Sequence, residues 1–326
     1  MKELPLIDPD IRKARGLPGH FYGHPSWHER VLERVFRPSW QLLAPEVVPT
    51  HGASPTEILG EPLLVTADGA LSNVCTHRGA LLTSEPCDFL RCPYHGRRFD
   101  LQGRMLGAPG FEDIQDSDHL PSLRVEGAGP LSFVALEEPP MALPDLLDDL
   151  PSRLPEGLPF TSKAHHFDID CSWALYVENY LEGLHIPFVH RGLNAALDWS
   201  LYRNEVRGWQ TLQTGLDRQG DEVAWYYWLW PNTMVNVYPW GLSLNRVDPT
   251  GPSSCRVHYW TRIWRPELRG QGAGVDLDVV ELEDQAVVLS VQRGVRSRAY
   301  TRGRFSPTHE AGVHAFQRRL VQRLSE

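Results

Sequence analysis

Four side chains that bind soft metals lie in two short segments of the chain. Cys75 and His77 belong to the segment Cys-Thr-His-Arg-Gly, and Cys92 and His95 belong to the segment Cys-Pro-Tyr-His-Gly. A structural zinc site usually takes two cysteines from one segment and two histidines from the other. A [2Fe-2S] cluster with two thiolates on one iron and two imidazoles on the other needs one of each from both segments. The pattern favours the cluster, and a zinc ion on the same four ligands is the alternative.

A glycine closes each segment and favours a tight backbone turn around a cluster. We expect the N–H groups near Gly79 and Gly96 to point at inorganic sulfides. The two segments resemble the motif of Rieske [2Fe-2S] proteins, in the form found in the oxygenase branch. Ala80 and Tyr94 stand where the respiratory branch has an additional disulfide, and Arg97 stands where the oxygenase branch usually has Trp. The resemblance implies an intact ligand set with altered packing at Arg97.

A second set of candidate ligands lies between Trp173 and His190. His185 and His190 are five residues apart, which on an unbroken helix would place them about 140° from each other. Pro187 lies between them and is expected to break the helix, so that His190 can turn back toward His185. Two histidines and one carboxylate, with open positions for oxygen, form the usual site for non-haem Fe(II).

The third ligand is predicted from an apolar stripe in the C-terminal region. Valines recur there at helical spacing, at Val280, Val287, Val288, Val291 and Val295. Asp284 falls on this stripe, where a buried carboxylate needs the compensation that a metal ion provides. Glu281 is a weaker competitor, and Glu283 lies off the stripe. The alternative is a histidine pair that only packs or forms hydrogen bonds, with an Asp that the helix dipole favours.

The two sets of residues extend the resemblance to nearly the whole chain, which resembles the catalytic (alpha) subunit of Rieske non-haem iron oxygenases. The resemblance implies an α+β fold: an N-terminal antiparallel β Rieske domain and a helix-grip domain, in which a curved antiparallel sheet wraps a C-terminal helix. It makes His185, His190 and Asp284 the ligands of a mononuclear Fe(II). It makes Glu182 the electron link to a neighbouring subunit's cluster, for which a solvated helix-face carboxylate is the alternative. It also implies a homotrimer.

An aromatic strand offers a candidate substrate surface. Between Glu222 and Trp230, alternation places Tyr226, Trp228 and Trp230 on one face of the strand. Such a face attracts a quaternary ammonium ion by cation–π interaction. An aromatic substrate, or plain packing of the sheet on a helix, explains the same pattern.

Residues near the C-terminus point to one branch of the family. The run 292–300, Gln-Arg-Gly-Val-Arg-Ser-Arg-Ala-Tyr, resembles the branch that acts on choline, carnitine and betaines. The same region carries a basic segment, which suits an acidic electron donor, a neighbouring subunit or a solvated face. Its members are Arg293, Arg296, Arg298, Arg302 and Arg304.

Composition restricts the class of protein. The chain has 326 residues, 41% of them hydrophobic, which is enough for two domains with real cores. Its net charge of -9 argues against a nucleic-acid partner. No apolar run approaches the ~20 residues of a membrane span, and the start lacks signal-peptide features, so we expect a cytoplasmic protein. Cys87, Cys171 and Cys255 are an odd, widely spaced set, which does not suggest a disulfide framework.

Local patterns predict the order of the elements. A helix is expected from Ser26, as N-cap, to Phe36, and turn residues separate short strands and a hairpin at Gln102-Gly103. The predicted strands are Trp40–Leu43, Thr56–Leu59, Pro62–Thr66, Leu71–Val74 and Leu131–Leu136. Prolines then crowd the chain up to Phe160. The predicted domains are an N-terminal helical segment packing on the catalytic domain (1–37), a Rieske domain (38–138), a Pro-rich boundary (139–160) and a mononuclear iron domain (161–326).

The function that follows is that of a terminal oxygenase component. Imidazole ligation suits a cluster that accepts single electrons and passes them to Fe(II), which activates O2. No nucleotide-binding glycine fingerprint is evident, so electrons must come from a separate reductase, with or without a ferredoxin. The favoured reaction is N-methyl hydroxylation of a small quaternary ammonium compound, which yields the demethylated amine and formaldehyde. The alternatives are an aromatic-ring hydroxylating dioxygenase, a non-catalytic Rieske electron carrier with a ligand-binding domain and, more remotely, a zinc-stabilised binding protein.

Overall fold

The chain divides into two compact units. A computed structural model describes residues 4–155, 164–269 and 277–326. One unit is continuous, Arg37–Pro140, and the other combines Met1–Phe36 with Met141–Glu326. The first unit contains the four predicted cluster ligands, and the second contains the predicted iron ligands and the aromatic strand.

The unit Arg37–Pro140 is built from antiparallel β-strands. Its strands are β1 (Trp40–Leu42), β2 (Ala53–Ile58), β3 (Glu61–Thr66), β4 (Gly69–Ser72), β5 (Leu90–Arg91), β6 (Arg98–Phe99), β7 (Met105–Gly107), β8 (Ser122–Ala128) and β9 (Leu131–Ala135). Six of them form a sheet in the order β1-β9-β8-β4-β3-β2, and the short strands β5, β6 and β7 form a second sheet. The predicted strands are present with shifted ends.

The turn between β2 and β3 explains one such shift. Leu59 was predicted to end a strand, but Leu59 and Gly60 form the turn that joins the paired residues Ile58 and Glu61. Both turn residues have positive φ, +54° at Leu59 and +80° at Gly60. Two central residues with positive φ match the twist of the flanking strands in a two-residue hairpin. Because Leu59 is apolar, the sequence pattern indicated a strand residue where the chain turns.

The other unit contains a larger antiparallel sheet and the helices. The helices are α1 (Pro25–Val31), α2 (Leu143–Leu147), α3 (Trp173–Tyr180), α4 (Ile186–Val189), α5 (Arg191–Ala196), α6 (Leu277–Gly294) and α7 (Ala311–Ser325). The strands are β10 (His165–Ile169), β11 (Arg203–Arg207), β12 (Gln210–Leu216), β13 (Glu222–Leu229), β14 (Thr233–Tyr238), β15 (Gly241–Gly251) and β16 (Ser254–Ile263). The sheet order is β10-β16-β15-β14-β13-β12-β11, so every neighbour from β11 to β16 follows in sequence.

Helix α7 lies against this sheet through Phe316. The Phe316 ring is fully buried and meets the rings of Trp173, Trp228 and Trp230 at centroid distances of 5.6, 5.5 and 6.2 Å. Such tilted and edge contacts between aromatic rings are favourable. The predicted fold class, a curved antiparallel sheet that wraps a C-terminal helix, is confirmed.

The first helix begins two residues earlier than predicted. The N-cap is His24, whose Nδ1 accepts a hydrogen bond from the backbone N–H of Ser26 over 3.3 Å. Pro25 occupies the first helical position, where a missing N–H costs nothing. After Val31 the chain continues as one π-helical turn, Leu32–Phe36. Ser26 is therefore inside the helix and is not its cap.

The Pro-rich segment contains ordered structure. Helix α2 and a 3-10 turn at Leu150–Arg153 lie within it, and Leu143, Leu146 and Leu150 are buried. Proline is tolerated in the first turn of a helix, and Pro144 and Pro151 both occupy such positions. The remainder of the predicted boundary, from residue 156, lies outside the described residues.

Candidate metal centres and substrate cavity

The two cluster segments have the same backbone arrangement. The N–H of Gly79 donates to the carbonyl of Cys75, and the N–H of Gly96 donates to the carbonyl of Cys92, each over 3.0 Å. Both glycines have positive φ, +71° and +75°, which favours glycine. These two N–H groups are used by the cysteine carbonyls, so the expectation fails for the glycines' own N–H groups and stays a prediction for the neighbouring ones. The glycines instead close each segment on its own cysteine.

The four predicted cluster ligands converge. Cys75 and Cys92 are both 2% exposed, and the rings of His77 and His95 lie 4.6 Å apart between centroids. Within the described part of the chain, Nδ1 of His77 is buried and has no hydrogen-bond partner. A buried polar atom normally has a partner, and coordination to iron would provide one. Two buried thiols beside two adjacent imidazoles fit a cluster with mixed ligation.

Neighbouring strands hold the two segments in place. The first segment follows β4, and the side chain of Asn73 fixes its return path by accepting from the N–H groups of Leu82 and Thr83, each over 3.2 Å. The second segment connects β5 to β6, whose residues Leu90 and Phe99 pair across the small sheet. Both segments are therefore loops on rigid strands.

Arg97 replaces local aromatic packing with an ion pair. The side chain is 3% exposed, and its guanidinium donates to Oδ1 of Asp118 over 2.9 Å and to the hydroxyl of Thr76 over 3.1 Å. It also lies over the ring of Phe111, 4.6 Å from the centroid. Burial, together with the charges of His95 and Arg97, lowers the pKa of His77. The departure from the usual Trp thus places a buried cation beside the cluster segments.

The predicted iron site lies where the chain leaves α3. This helix ends at Tyr180, five residues before His185, and His185 is the N-cap of the next helix, α4. Pro187 occupies the first turn of α4, so it does not break a helix between the two histidines as we expected. His190 is at the junction of α4 and α5. The four residues between the histidines form α4, and the backbone leaves the helical conformation at His190 (φ −102°, ψ 82°), so the orientation of the two imidazoles is set by this short helix and its end.

His185, His190 and Asp284 each offer a ligand atom within 4.8 Å of the other two. Oδ1 of Asp284 lies 3.1 Å from Nε2 of His190 and 3.6 Å from Nε2 of His185. The imidazole rings are 5.0 Å apart and nearly perpendicular. Two imidazole nitrogens and one carboxylate oxygen at these separations fit a single ion that retains open positions.

Carboxylates and an amide orient the three side chains. Nδ1 of His185 lies 2.6 Å from Oε1 of Glu182, and Nδ1 of His190 lies 2.8 Å from Oε2 of Glu283. The amide of Asn179 donates to Oδ1 of Asp284 over 2.7 Å. Hydrogen bonds at Nδ1 fix the tautomer that leaves Nε2 free for a metal. The sequence analysis did not identify Asn179. It placed Glu283 off the apolar stripe, although the position of Glu283 next to Asp284 could have indicated a residue that supports the site.

Glu182 uses both oxygens close to the iron site. In addition to Nδ1 of His185, its carboxylate accepts from the backbone N–H groups of Leu184 and His185. The side chain is 14% exposed. These contacts do not resemble a solvated helix-face carboxylate, which was the alternative for this residue.

The carboxylates next to His190 favour a positive charge at its imidazole. Burial by itself would lower the pKa of this imidazole, but hydrogen bonds and charge from Asp284 and Glu283 outweigh burial and raise it. The same negative potential that holds a proton would hold a metal ion.

Helix α6 presents a buried face that is partly polar. Val288 and Val295 are buried as predicted, but Val291 is 41% exposed. Glu281 and Gln292 share the buried face instead. Glu281 does not join the histidines, because its carboxylate accepts hydrogen bonds from Tyr176, Tyr259 and Gln285. The valine stripe led to Asp284 as the candidate ligand, but it predicted the wrong set of buried residues on this helix.

A small cavity opens beside the predicted iron ligands. It encloses about 110 Å³ and is bounded by residues of α3, α6 and the sheet. A row of directly paired residues crosses four strands and forms part of its wall: Gln213, Tyr226, Asn236 and Ser243. Six tyrosines also line it: Tyr176, Tyr180, Tyr202, Tyr226, Tyr238 and Tyr259. A cavity below the size typical of drug-sized ligands suits a small substrate.

The three residues of the predicted aromatic face lie in two different environments. Tyr226 lines the cavity, and within the described chain its hydroxyl is buried without a hydrogen-bond partner. Trp228 and Trp230 are not among the lining residues, because α7 covers them through Phe316. The prediction that all three form one substrate surface is therefore wrong for the two tryptophans.

The remaining predicted features lie away from these sites. Arg302 donates to the backbone carbonyls of Gly16 and Arg15, so this member of the basic segment tethers the N-terminal chain. Cys171 and Cys255 are buried free thiols with their Sγ atoms 3.9 Å apart. Within the described ranges, no helix combines the length and the apolar character that crossing a bilayer requires.

Two family models match the chain. The model described as Rieske [2Fe-2S] domain matches residues 40–122, a range that includes all four predicted cluster ligands. The model described as Ring hydroxylating alpha subunit (catalytic domain) matches residues 200–326, which includes Asp284 and the cavity strands.

Individual relatives match over nearly the whole length of the chain. The chain is 29% identical over 351 residues to the chloroplastic choline monooxygenase of Beta vulgaris, covering 95% of this chain and 78% of that protein. It is 28% identical to the carnitine monooxygenase oxygenase subunit of Escherichia coli K12, covering 95% and 94%. The crystal structure of the quaternary ammonium Rieske monooxygenase CntA with its substrate L-carnitine superimposes with a TM-score of 0.84, at 26% identity and 99% coverage of both chains.

Proposed function

The chain belongs to the Rieske non-haem iron oxygenases, and from this premise we propose that it hydroxylates an N-methyl group of a small quaternary ammonium compound. As a terminal oxygenase it carries a Rieske cluster and a mononuclear iron. The observation that carries the proposal is the cavity: it is small, lined by tyrosines and by three carboxylates, and placed directly against His185, His190 and Asp284.

Tyrosine faces and carboxylates suit a cation better than a neutral ring. Aromatic faces attract a quaternary ammonium group, and the carboxylates of Glu182, Glu281 and Asp284 give the wall negative charge. Among the lining residues that the structure describes, none is Lys or Arg. An aromatic hydrocarbon would gain little from such a wall and would leave its polar groups without partners.

We propose that His185, His190 and Asp284 hold the mononuclear iron and that Cys75, His77, Cys92 and His95 hold the cluster. When bound, the iron supplies O2 activation with electrons delivered through the cluster. The protein's part is to orient: Glu182 and Glu283 fix the two imidazoles through Nδ1, and Asn179 fixes the carboxylate of Asp284. The cavity wall then brings the substrate's methyl groups to this side of the site.

The methyl carbon is the natural position of attack. Three of the four substituents on a trimethylammonium nitrogen are methyl groups, so a cation seated with its fourth substituent away from the iron ligands presents a methyl C–H to them. One O2, two electrons and two protons convert that methyl to hydroxymethyl, with one oxygen atom leaving as water. The N–CH2OH bond then breaks, releasing formaldehyde and a proton and leaving the tertiary amine.

Electron delivery involves other proteins and a second copy of this chain. We propose a separate reductase as donor, with or without a ferredoxin, and a homotrimer in which Glu182 links one subunit's iron to the neighbouring subunit's cluster. The contact of Glu182 with His185 supports this role because it places a carboxylate on the ligand through which the electron would arrive. Two buried free thiols 3.9 Å apart suit a reducing compartment such as the cytoplasm.

The test is a single-turnover reaction with holoenzyme reduced in the absence of oxygen. Oxygen is then added with choline-type ammonium compounds or with aromatic acids, and products are identified by mass spectrometry. Formaldehyde with one equivalent of tertiary amine supports the proposal. A ring-hydroxylated product without formaldehyde would favour the aromatic alternative. Hydroxylation at another carbon of the ammonium compound would keep the substrate class and change the position.

Metal analysis tests the ligand assignment separately. The intact chain should contain about three iron atoms, two in the cluster and one mononuclear. His185→Ala should lower this to about two and leave the visible spectrum of the cluster unchanged. Loss of the cluster spectrum in this variant, or unchanged iron content, would contradict the assignment. His309→Ala, a histidine outside the predicted ligand set, is the matched control.

A further inference from the structure

We propose that the carboxylate of Glu281 is the counter-charge for the substrate's ammonium group, and that the cavity consequently takes a small cation that carries no carboxylate of its own. The inference rests on the proposed function and narrows its substrate class. Glu281 is on α6, three residues before Asp284, and it lines the same cavity. Its side chain was set aside as an iron ligand and has no other assigned role.

The hydrogen bonds of Glu281 hold it in place but do not neutralise it. Its carboxylate accepts from the hydroxyls of Tyr176 and Tyr259 and from the amide of Gln285. All three donors are neutral groups. Burial raises the pKa of this carboxyl to about 7 and the three hydrogen bonds oppose that rise, but none of the three donors is a cationic partner for the ionised form. A permanent cation in the cavity would supply one.

A quaternary ammonium group suits this carboxylate for a geometric reason. The nitrogen carries no N–H, so it cannot form the hydrogen bond that a Lys or Arg side chain would offer. Its attraction to Glu281 depends on charge and distance alone. The oxygens of Glu281 can therefore stay bonded to Tyr176 and Tyr259 while the ammonium lies nearby.

The charge balance of the cavity leaves one negative charge for the substrate. Three carboxylates line the wall: Asp284, Glu182 and Glu281. An Fe(II) on the proposed ligands would balance the first two, since Asp284 belongs to the ligand set and Glu182 contacts His185. Glu283, which also contacts His190, is 35% exposed and is screened by solvent. Glu281 is thus the buried charge that remains.

A second observation points to a ligand with a neutral polar group. The hydroxyl of Tyr226 is buried, lines the cavity and has no hydrogen-bond partner within the described chain. The residue is 9% exposed, so bulk water does not satisfy it. A substrate hydroxyl would provide the missing partner. A carboxylate on the substrate would share the cavity with Glu281 and Asp284, with no Lys or Arg among the described lining residues to balance it.

Equilibrium binding to the iron-loaded enzyme in the absence of oxygen tests this proposal without turnover. Three probes separate the contributions: choline, its uncharged isostere 3,3-dimethyl-1-butanol, and L-carnitine, which adds a carboxylate. Wild type should bind choline at least about tenfold more tightly than either of the others. Glu281→Gln should weaken choline binding at least about tenfold and leave the isostere within about twofold, because the amide keeps the shape and loses the charge.

Two further variants control for charge and for structure. Glu281→Asp keeps the charge and should keep the preference for choline over the isostere. Asp278→Asn removes a carboxylate from the first turn of the same helix, where the side chain is 79% exposed, and should change none of the three affinities. If Glu281→Gln does not fold, the ratio of the wild-type affinities for choline and for its uncharged isostere decides the matter.

The outcomes distinguish this inference from the proposed function. Choline binding that Glu281→Gln leaves unchanged would overturn the counter-charge while the oxygenase proposal stands. The counter-charge would also be overturned, and the oxygenase proposal would stand, if wild type bound the isostere or carnitine as tightly as choline. Wild type that neither binds nor oxidises any quaternary ammonium compound would overturn both.

Discussion

The amide nitrogen of Asn179 lies 2.7 Å from Oδ1 of Asp284 and donates a hydrogen bond to it. Asn179 is on α3 and Asp284 is on α6, so this bond joins the two helices at the proposed iron site. Groups that orient a ligand in this way typically change metal affinity 10- to 100-fold when they are removed. The amide is therefore part of the proposed centre although it cannot bind the metal through its donor nitrogen.

Asn179→Ala should bind the mononuclear iron about 10- to 100-fold more weakly and leave the cluster intact. Competition with a chelator, followed by iron analysis, measures the affinity, and the visible spectrum reports the cluster. Gln219→Ala, at the exposed turn between β12 and β13, is the control and should bind iron like wild type. An unchanged affinity in Asn179→Ala would mean that Asp284 is positioned by the helix alone.

Glu182→Gln should keep iron and cluster, because the amide oxygen can still accept the hydrogen bond from Nδ1 of His185, but it should slow the electron step. The amide retains the size of the carboxylate and loses the charge that Nδ1 of His185 meets at 2.6 Å. We expect oxidation of the reduced cluster, after oxygen and substrate are added, to slow by at least about 100-fold, as for loss of a group that assists the reacting centre. Glu205→Gln, an exposed carboxylate on β11, is the control. Cluster oxidation at the wild-type rate would rule Glu182 out as the electron link.

Arg97→Met should lower both the reduction potential of the cluster and the melting temperature. A buried cation near a cluster favours the reduced state, because the potential follows local net charge and hydrogen bonding. The variant also leaves Asp118 without its partner at 2.9 Å. Redox titration and thermal unfolding measure the two effects. Arg98→Met removes the same charge at the adjacent exposed position, and equal shifts in both variants would show that only net charge matters.

Glu178 should make stability fall as pH rises. This partly buried carboxyl accepts hydrogen bonds from Tyr22 and Gln317, and burial raises its pKa to about 8 from an ordinary value of 4.5. A raised folded-state pKa means that the folded state holds the proton longer than the unfolded state. The stability it contributes is complete below pH 4.5 and is lost up to about pH 8, at up to about 1.4 kcal/mol per pH unit.

The variant Glu178→Gln carries the neutral form at every pH, so its unfolding should lose much of this pH dependence. Urea unfolding at pH 6 and pH 8 measures it, and the decline of wild type should exceed that of the variant by about 2 kcal/mol. Glu57→Gln, at an exposed position on β2, is the control. Equal declines in wild type and Glu178→Gln would show that the carboxyl ionises normally in the folded protein.

Local spacing was sufficient for the family, the fold class and the cofactors. Cys75, His77, Cys92 and His95 are close in the chain, and a cluster with mixed ligation needs that pairing whatever the rest of the fold does. The choice of Asp284 also came from local information, since a carboxylate on an apolar helix stripe requires a partner. These inferences needed only chemistry and helical or turn geometry over a few residues.

The two-residue period of a strand shows which side chains share a face, but it does not show whether that face lines a cavity or is covered by another element. Alternation along β13 predicts that Tyr226, Trp228 and Trp230 lie on one side of the strand, although β13 itself ends at Leu229. Helix α7 then covers part of that side through Phe316, while the rest faces the cavity. The helix that decides this lies more than 80 residues later in the chain, so no pattern within the strand contains the answer.

The sequence by itself determined which residues could bind metal and what class of enzyme would need them. Only the tertiary structure decided which groups support them, Asn179 against Asp284 and Glu283 against His190. It also decided that Glu281 lies between Tyr176 and Tyr259 instead of joining the ligands. These contacts join α3, the junction of α4 and α5, β16 and α6 across about 100 residues of sequence. Hydrogen bonds act over about 3 Å, and separations that short between distant segments exist only once the chain has folded.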